Sequence, residues 1–225
     1  MNKIKKYLLW LVGIVVCLGA IAYVTVTNHP QLVVGAIQKT IYKSSSPNSY
    51  RPLNEAIDGP KENGHYLKSE IAYSKEYPNS FLDIIYPDSN LGVDRPTLFY
   101  FHGGGFFAGS KNMGDPLAAS EATYLIDDMV AKGYNVVNVD YALVPEYHFP
   151  TPLIQMNLAI DYMRKHAEEY HLNMDKVVLM GSSAGAIMVA QYGSVLANPN
   201  YAQLLDMEPS IAKEQVKALV IDELS

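Results

Sequence analysis

The chain has 225 residues, 49% of them hydrophobic, with 23 acidic side chains against 17 lysines and arginines. This size and composition predict one globular domain with an appendage, and the net charge of −6 argues against nucleic-acid binding. A single cysteine excludes an internal disulfide, and six scattered histidines show no metal-binding spacing, so we expect no metal and no cofactor.

Residues 7–26 form an uncharged, largely apolar segment that follows three lysines at the amino terminus. About 20 apolar residues in a helix cross the hydrocarbon core of a membrane, and positive charge keeps the leading end in the cytoplasm. The pattern therefore predicts a membrane anchor at residues 1–28, with the rest of the chain outside the cytoplasm. Three alternatives stay open: a cleaved signal peptide ending near Ala20 and Ala22, a lipoprotein signal ending at Cys17, or a buried soluble helix.

Residues 29–64 are predicted to connect this anchor to the main domain. Apolar side chains at helical spacing within 31–43 predict an amphipathic helix. The stretch 44–64 is rich in serine, asparagine, proline and glycine, which form turns, so we expect a linker or mobile loop there.

The main domain is predicted to span residues 65–225 and to belong to the α/β class. Two short runs at 69–77 and 80–87, rich in aromatic and β-branched side chains, predict an antiparallel pair. After them strands and helices alternate, which predicts a mainly parallel sheet flanked by helices. The strands are predicted at 96–102, 134–141, 176–182 and 216–222, and the helices at 116–132, after a cap at Thr151 with Pro152 at the first helical position, and at 184–197.

A glycine-flanked serine directly follows the third of these predicted strands. Gly181 and Gly185 enclose Ser183 in a G-x-S-x-G pattern, which between a buried strand and a helix is typical of a nucleophilic serine. Glycine at both positions permits a sharp turn, and the amide of Ala184 at the helix start can donate to an oxyanion. The alternative is an ordinary helix cap, in which Ser182 or Ser183 bonds the first helical turn.

A second glycine-rich segment, FHGGGFFAGS at 101–110, also follows a predicted buried strand. Because Gly103, Gly104 and Gly105 have no Cβ atom, their amides can approach a ligand closely. Two of these N–H groups, together with that of Ala184, could surround the oxyanion of a tetrahedral intermediate. A flexible glycine turn is the alternative for this segment by itself.

Three motifs in this order, HGGGF at 102–106, DYALVPEYHFP at 140–150 and GSSAG at 181–185, resemble those of the hormone-sensitive-lipase-like carboxylesterases. The resemblance covers about residues 65–222. It implies an α/β-hydrolase fold and a carboxylesterase or lipase that acts on small or medium acyl esters, with Ser183 as the nucleophile. The implied oxyanion donors are Gly103, Gly104 and Ala184, and the implied structural residues are His102, Gly105, Gly181, Gly185 and Glu146.

The carboxyl-terminal part departs from this family pattern. In the family an acidic residue and then a histidine follow the nucleophile, but the last histidine here is His171, which precedes Ser183. The chain therefore resembles the first two thirds of the fold, incomplete at its carboxyl end, and His148 in an earlier loop is the candidate substitute base. Ser182 and Ala186 also differ from the family's usual aspartate and glycine.

Two functions stay open at this point. One is a membrane-anchored or secreted serine esterase, and acyl transfer to another acceptor would use the same acyl-enzyme. The other is a truncated or non-catalytic hydrolase-like protein, because a serine hydroxyl without a base is a poor nucleophile at neutral pH. The expected partners are an ester substrate and the membrane, and reaction with a fluorophosphonate probe separates the two functions.

Overall fold

The computed structural model describes residues 3–43, 45–111 and 124–222 of the chain. Contacts between Cα atoms divide the chain into two units, Met1–Ser45 and Ser46–Ser225. Each unit has its own secondary structure.

The first unit consists of two consecutive helices, α1 (Lys3–Asn28) and α2 (Pro30–Ile41). Within α1, Lys5–Asn28 has a mean hydropathy of 2.4 and its most apolar part is not buried, so this helix can serve as a signal or as an anchor. α1 ends before His29 because Pro30 disfavours the helical conformation at the preceding residue. The helix predicted after the anchor is present as α2.

The described residues of the second unit contain a seven-stranded sheet with the order β1-β2-β3-β5-β4-β6-β7. Its strands are β1 (Asp58–Pro60), β2 (Tyr66–Ala72), β3 (Phe81–Tyr86), β4 (Pro96–Phe101), β5 (Asn135–Val139), β6 (Asn173–Ser182) and β7 (Val216–Asp222). All the predicted strands are present, and β1 is an additional strand within the predicted linker.

Half of the strand pairings in this sheet are antiparallel. The pairings of β1 with β2, β2 with β3 and β3 with β5 are antiparallel, as predicted for β2 and β3. The pairings of β4 with β5, β4 with β6 and β6 with β7 are parallel. The prediction of a mainly parallel sheet is therefore wrong. Short connections make β1 to β3 a meander, whereas the parallel strands need crossovers, each of which contains a helix here.

Four helices connect the strands of the described sheet: α3 (Tyr124–Ala131), α4 (Thr151–Lys165), α5 (Ala184–Ala197) and α6 (Pro199–Leu204). Residues 116–123 of the helix predicted before β5 lie outside the described residues, and α3 is its remaining part. α4 begins at Thr151 itself, so the predicted Thr151 cap is wrong. Pro150 occupies the cap position and has no side-chain acceptor, while Pro152 is the second residue of α4 and not the first, which is the position predicted for it.

Helices cover both faces of the sheet, which leaves β4 and β5 almost completely buried. On one face, Ile126 and Val130 of α3 pack against a cluster that includes Leu98 of β4. On the other face, Gly193 of α5 lies against Leu219 of β7. Because the parallel strands β4 and β6 end at the same edge of the sheet, the glycine loop and the serine turn that follow them meet there.

Part of the predicted linker is hydrogen-bonded to the sheet domain. The Asn48 side chain donates to Leu143 O at 2.8 Å and accepts from Leu143 N at 2.8 Å, across 95 residues of sequence. Glu70, at an irregularity in β2, accepts from the backbone N–H groups of Leu53 and Asn54 at 3.3 and 3.2 Å. The linker prediction is therefore wrong for this part of the chain, because its partners are distant in sequence and local composition does not reveal them.

Candidate active site

Ser183 occupies the sharp turn between β6 and α5. Its backbone has φ 50° and ψ −110°, a left-handed conformation that costs a non-glycine residue about 1–3 kcal/mol. The residue is exposed, and its side chain makes no cap hydrogen bond with α5. The helix-cap alternative is therefore wrong for Ser183. The strained turn leaves this serine accessible at the carboxyl end of the parallel strands.

Close backbone packing requires the two glycines that flank this serine. A Cβ atom on Gly185 would lie 2.0 Å from the carbonyl oxygen of Phe101 at the end of β4. A Cβ atom on Gly181 would lie 2.3 Å from backbone atoms of Gly185. Both distances are far below van der Waals contact, so the backbone would have to move to admit a side chain at either position. Glycine here lets α5 approach the ends of β4 and β6.

A buried chain of hydrogen bonds supports the serine turn. The Tyr100 hydroxyl donates to Ser182 Oγ at 3.0 Å, and Ser182 Oγ donates to Asp222 Oδ2 at 2.9 Å. The backbone N–H of Ser183 donates to Asp222 O at 2.9 Å. Ser182 is therefore not a helix cap either. Tyr100 and Asp222 are not among the residues predicted for the site. The sequence signal that could have indicated them is a polar side chain near the end of each of three predicted strands, β4, β6 and β7.

The glycine loop after β4 lies against the serine turn. A Cβ atom on Gly103 would lie 3.3 Å from Ser183 Cβ, so the two segments are in direct contact. Gly104 has φ +102°, which glycine adopts without strain, and a Cβ atom there would lie 2.1 Å from Ala108 O. Among the described residues, no acceptor is hydrogen-bonded to the N–H groups of Gly103 and Gly104. The first amide of α5 is that of Ala184, which directly follows Ser183.

His102 is a buried part of this glycine loop. Its Nδ1 donates to Gly103 O at 2.7 Å, and its ring stacks on Tyr141 with 4.2 Å between the ring centroids. The Tyr141 hydroxyl donates to His102 O at 2.7 Å. Burial lowers the pKa of His102 to about 4, so its imidazole is neutral at pH 7. These contacts fit a role in holding the loop, and none of them joins His102 to Ser183.

A buried cluster of charged side chains lies at the carboxyl end of the same loop. Lys111 Nζ lies 2.7 Å from Glu70 Oε1 and 3.3 Å from Asp83 Oδ1. The backbone N–H of Lys111 donates to the carboxyl group of Asp140, which lies 3.7 Å from His102 Nε2. Burial raises the pKa of Asp140 to about 7, although the positive charge of Lys111 opposes the shift. The sequence did not predict this cluster, because its members come from four separate segments.

The loop after β5 carries the two remaining candidate residues. Glu146 accepts a hydrogen bond from Asn48 Nδ2 at 2.7 Å, which ties this loop to the segment before β1. His148 is exposed, and its backbone carbonyl accepts from Thr151 N at 2.9 Å. In the described part of the chain, the histidine rings bond to residues other than Ser183: His65 to Asn63, His102 to Gly103 and His166 to Glu169.

An apolar cavity of about 300 Å³ is lined by residues of the glycine loop, the loop after β5, α4 and α5, and Ser183 is not among its described lining residues. Its wall includes Gly105 of the glycine loop and Ile187 in the first turn of α5, whose N–H donates to Ser183 O at 3.1 Å. His148 also lines the cavity, and its described wall contains no aspartate, glutamate, lysine or arginine. The described residues therefore include an exposed serine, two loop amides with no hydrogen-bond acceptor among these residues, and an apolar cavity that shares Gly105 with the glycine loop.

Comparison with known proteins places this chain in an esterase family. Residues 82–223 match the BD-FAE family. The acetyl esterase of Salmonella paratyphi B is 35% identical over 96 residues, which cover 43% of this chain and 28% of that protein. The acetyl esterase of Salmonella agona gives the same identity and coverage. The match therefore spans less than a third of the length of these relatives.

Solved esterase structures share the fold. Esterase B from Lactobacillus rhamnosis superposes with a TM-score of 0.60 at 17% identity, covering 88% of this chain and 56% of that one. A carboxylesterase from Lactobacillus plantarum gives 0.54 at 22% identity, covering 68% of this chain and 54% of that one. An esterase from Rhizomucor miehei gives 0.50 at 27% identity, covering 69% and 43%. These structures confirm the predicted α/β-hydrolase fold, with the mixed sheet described above.

Proposed function

Because the chain belongs to the BD-FAE family of α/β-hydrolase esterases, we propose that it hydrolyses carboxylic esters with small or medium acyl groups through Ser183. The observation that carries this proposal is the exposed serine on a strained turn that contacts Gly103 of the glycine loop. The acetyl esterase relatives support the choice of an ester as the substrate class.

In the proposed reaction, Ser183 Oγ attacks the carbonyl carbon of the ester, and the carbonyl oxygen takes the electron pair. The N–H groups of Gly103, Gly104 and Ala184 donate to this oxyanion, and one such donor contributes about 3 kcal/mol of transition-state stabilisation. Collapse of the intermediate breaks the bond to the alcohol oxygen, which leaves as the alcohol with the proton that Ser183 Oγ gave up. Water then hydrolyses the acyl-enzyme and restores the serine hydroxyl.

The remaining motif residues have structural roles in this proposal. Gly181 and Gly185 permit the serine turn, and Gly105 continues the glycine loop. His102 holds that loop through Gly103 O, and Glu146 anchors the loop after β5. Substituting any of these residues would displace the reacting groups, whereas it would not remove a group that transfers a proton.

His148 is the candidate for the base that takes the Ser183 proton, because it lines the same cavity as Ile187, whose N–H donates to Ser183 O. His102 is a poor candidate, since it is buried and bonded to its own loop. His148→Gln should lower Ser183-dependent hydrolysis about 100-fold or more, the usual contribution of a general base. His166→Gln, at the end of α4, is the matched control and should leave the rate unchanged. Equal rates for both variants would remove His148 from the mechanism.

Hydrolysis of p-nitrophenyl butyrate by the full chain in lipid nanodiscs tests the main proposal. We expect turnover that Ser183→Ala abolishes and that Ser194→Ala, a matched exposed serine on α5, leaves unchanged. A fluorophosphonate probe should label Ser183, as mass spectrometry of the modified peptide would report. A chain with neither turnover nor labelling would contradict the proposal and favour a non-catalytic, hydrolase-like binding protein.

We also propose that α1 anchors the second unit on the side of the membrane opposite the cytoplasm, supported by its length, its hydropathy and the preceding lysines. Amino-terminal sequencing of the membrane fraction tests this. Retention of α1 is expected. A new amino terminus after Ala22 would indicate a cleaved signal, and a lipid on an amino-terminal Cys17 would indicate a lipoprotein.

A further inference from the structure

We infer that Asn48 is a positioning residue for ester hydrolysis, whose side-chain amide holds the glycine loop in place through the loop after β5. This role rests on the proposed function, in which the N–H groups of Gly103 and Gly104 bind the oxyanion. It falls to a residue outside the range 82–223 that matches the family, in a segment that the sequence predicts to be a linker.

The Asn48 amide uses both of its N–H groups and both of its lone pairs. Its Oδ1 accepts from Leu143 N at 2.8 Å and from Asn79 Nδ2 at 3.2 Å. Its Nδ2 donates to Leu143 O at 2.8 Å and to Glu146 Oε2 at 2.7 Å. Because a backbone N–H only donates and a carbonyl only accepts, the two bonds to Leu143 require a side chain that does both. An amide meets this requirement, whereas a carboxylate or a methyl group does not.

The backbone on either side of Asn48 is fixed to the turn between β2 and β3. Ser49 N donates to Asn79 Oδ1 at 2.8 Å, and Asn79 N donates to Ser49 O at 2.7 Å. Asn79 Nδ2 also donates to Pro47 O at 3.0 Å. Asn48 is therefore held by the sheet domain itself, so it can fix the position of another loop.

The loop that Asn48 holds is bonded in turn to the glycine loop. Leu143 is almost fully buried, and both of its backbone polar groups bond to the Asn48 side chain. The next residue, Val144, donates its backbone N–H to Phe106 O at 2.9 Å. Because consecutive residues share a rigid peptide unit, a displacement of Leu143 moves the donor that holds Phe106.

Phe106 lies in the turn that sets the position of Gly104. Its φ of 64° is unfavourable for an aromatic residue, so this turn depends on the hydrogen bonds around it. The N–H groups of Phe107 and Ala108 both donate to Gly104 O at 3.0 Å. A shift at Phe106 should therefore move the proposed oxyanion donors, while Ser183 stays on its own turn between β6 and α5.

Hydrogen–deuterium exchange tests this coupling without catalysis. The full chain with Asn48→Ala is compared with the unmodified chain in lipid nanodiscs, by mass spectrometry of peptides that cover 102–109 and 141–147. Amides in both peptides should exchange at least about tenfold faster in the variant, because their hydrogen bonds open more often. Asn198→Ala is the matched control. It removes a side chain that accepts two backbone N–H groups at the start of α6, and should leave both peptides unchanged.

Steady-state kinetics with p-nitrophenyl butyrate tests the role in catalysis. Asn48→Ala should lower kcat about 10- to 100-fold, the usual effect of a small displacement of positioned groups, with KM within about twofold. Each kcat is expressed per serine that a fluorophosphonate probe labels at completion, so that unfolded chain does not contribute. Asn198→Ala should leave both constants unchanged.

Asn48→Asp keeps the shape of the side chain and removes its donor. Its carboxylate would face Leu143 O and the carboxylate of Glu146, the charged group in contact with Asn48. Protonation at low pH restores a donor, and the nearby Glu146 carboxylate favours that protonation. The ratio of its kcat to that of the unmodified chain should rise at least about threefold between about pH 8 and pH 5. The same ratio for Asn48→Ala should stay constant.

The possible outcomes separate this inference from the esterase proposal. Unchanged exchange in Asn48→Ala would overturn the inference, and so would equal effects of Asn48→Ala and Asn198→Ala. Turnover by the unmodified chain with an unaltered kcat in Asn48→Ala would overturn the inference and leave the esterase proposal standing. Faster exchange in a chain without turnover would support the coupling and contradict the esterase proposal.

Discussion

Two glycine-containing segments follow neighbouring parallel strands at the same edge of the sheet, and they are held in different ways. The serine turn at 181–185 depends on the absence of side chains, since a Cβ atom on Gly185 would overlap the end of β4. The glycine loop at 102–111 ends instead at a buried ammonium, Lys111, surrounded by carboxyl groups from distant segments. A position that cannot hold a side chain appears in the sequence as a glycine within a motif. An anchor built from charged residues of several distant segments leaves no such local pattern.

The largest expected effect comes from breaking the charged anchor. Lys111→Met removes the ammonium and leaves Glu70 and Asp83 without their positive partner inside the protein. We expect a loss of about 3–5 kcal/mol in the free energy of unfolding, measured by urea titration with circular dichroism. Lys132→Met is the matched control, because Lys132 is exposed and paired with Asp128 on the surface, where a change below about 0.5 kcal/mol is expected. A loss below about 1 kcal/mol for Lys111→Met would mean that charge does not hold the loop.

The corresponding break of the serine turn is steric. Gly185→Ala places a methyl group where only 2.0 Å separates it from Phe101 O, so the backbone must move. We expect a loss of about 3 kcal/mol in the free energy of unfolding and a strong decrease in Ser183 labelling. Gly92→Ala is the control, because no atom lies within 4 Å of its added Cβ. Normal labelling and stability in Gly185→Ala would show that the turn does not depend on close packing.

A pH titration sharpens the contrast, because burial shifts the pKa values of Asp140 and His102 at the glycine loop. The folded-state pKa of Asp140, about 7, lies above its unfolded value of about 3.9, so the native state binds the extra proton between these values. Asp140 therefore makes unfolding free energy fall as pH rises. His102, with a folded pKa of about 4 against about 6.5 unfolded, acts in the opposite direction over nearly the same interval.

Asp140→Asn should consequently change the pH dependence of stability. Between about pH 4.5 and 6.5, the slope of unfolding free energy against pH should become more positive by up to about 1.4 kcal/mol per pH unit. Urea titrations at half-unit intervals of pH measure this slope for both chains. Parallel curves for the two chains would contradict the protonation of Asp140 in the folded state.

The smallest expected effect concerns the hydrogen bonds that support the serine turn. Asp222→Ala removes the acceptor of Ser182 Oγ and should reduce the free energy of unfolding by about 1 kcal/mol. Asp222→Asn keeps an acceptor oxygen and should retain most of that stability. The backbone bond from Ser183 N to Asp222 O is present in both variants, so the two differ only in the acceptor for Ser182 Oγ. Ser183 labelling should therefore slow in Asp222→Ala and stay unchanged in Asp222→Asn. Equal stability of the two variants would show that the hydrogen bond from Ser182 Oγ to Asp222 does not stabilise the turn.

Much of the fold could be predicted because local patterns dominate it. The strands β3, β4 and β5 and the helix α5 lie within two residues of their predicted bounds, whereas β2 begins three residues and ends five residues earlier than predicted. The alternation of strands and helices does not indicate the direction of every strand in the sheet. The prediction therefore included one antiparallel pairing, whereas the sheet has three. The contacts of Asn48 with Leu143 show a second limit of local patterns. The polar composition around Asn48 predicts a linker, and nothing in it indicates a hydrogen-bond partner 95 residues away.

The sequence by itself determined the serine turn and the glycine loop, because each depends on residues that lack side chains directly after a buried strand. Only the tertiary structure decided that the two segments touch, and that Tyr100, Ser182 and Asp222 form one hydrogen-bonded row. It also decided the buried pairing of Lys111 and the apolar cavity. Each of these features joins segments far apart along the chain, and their proximity follows from strand order in the sheet, which local patterns do not encode.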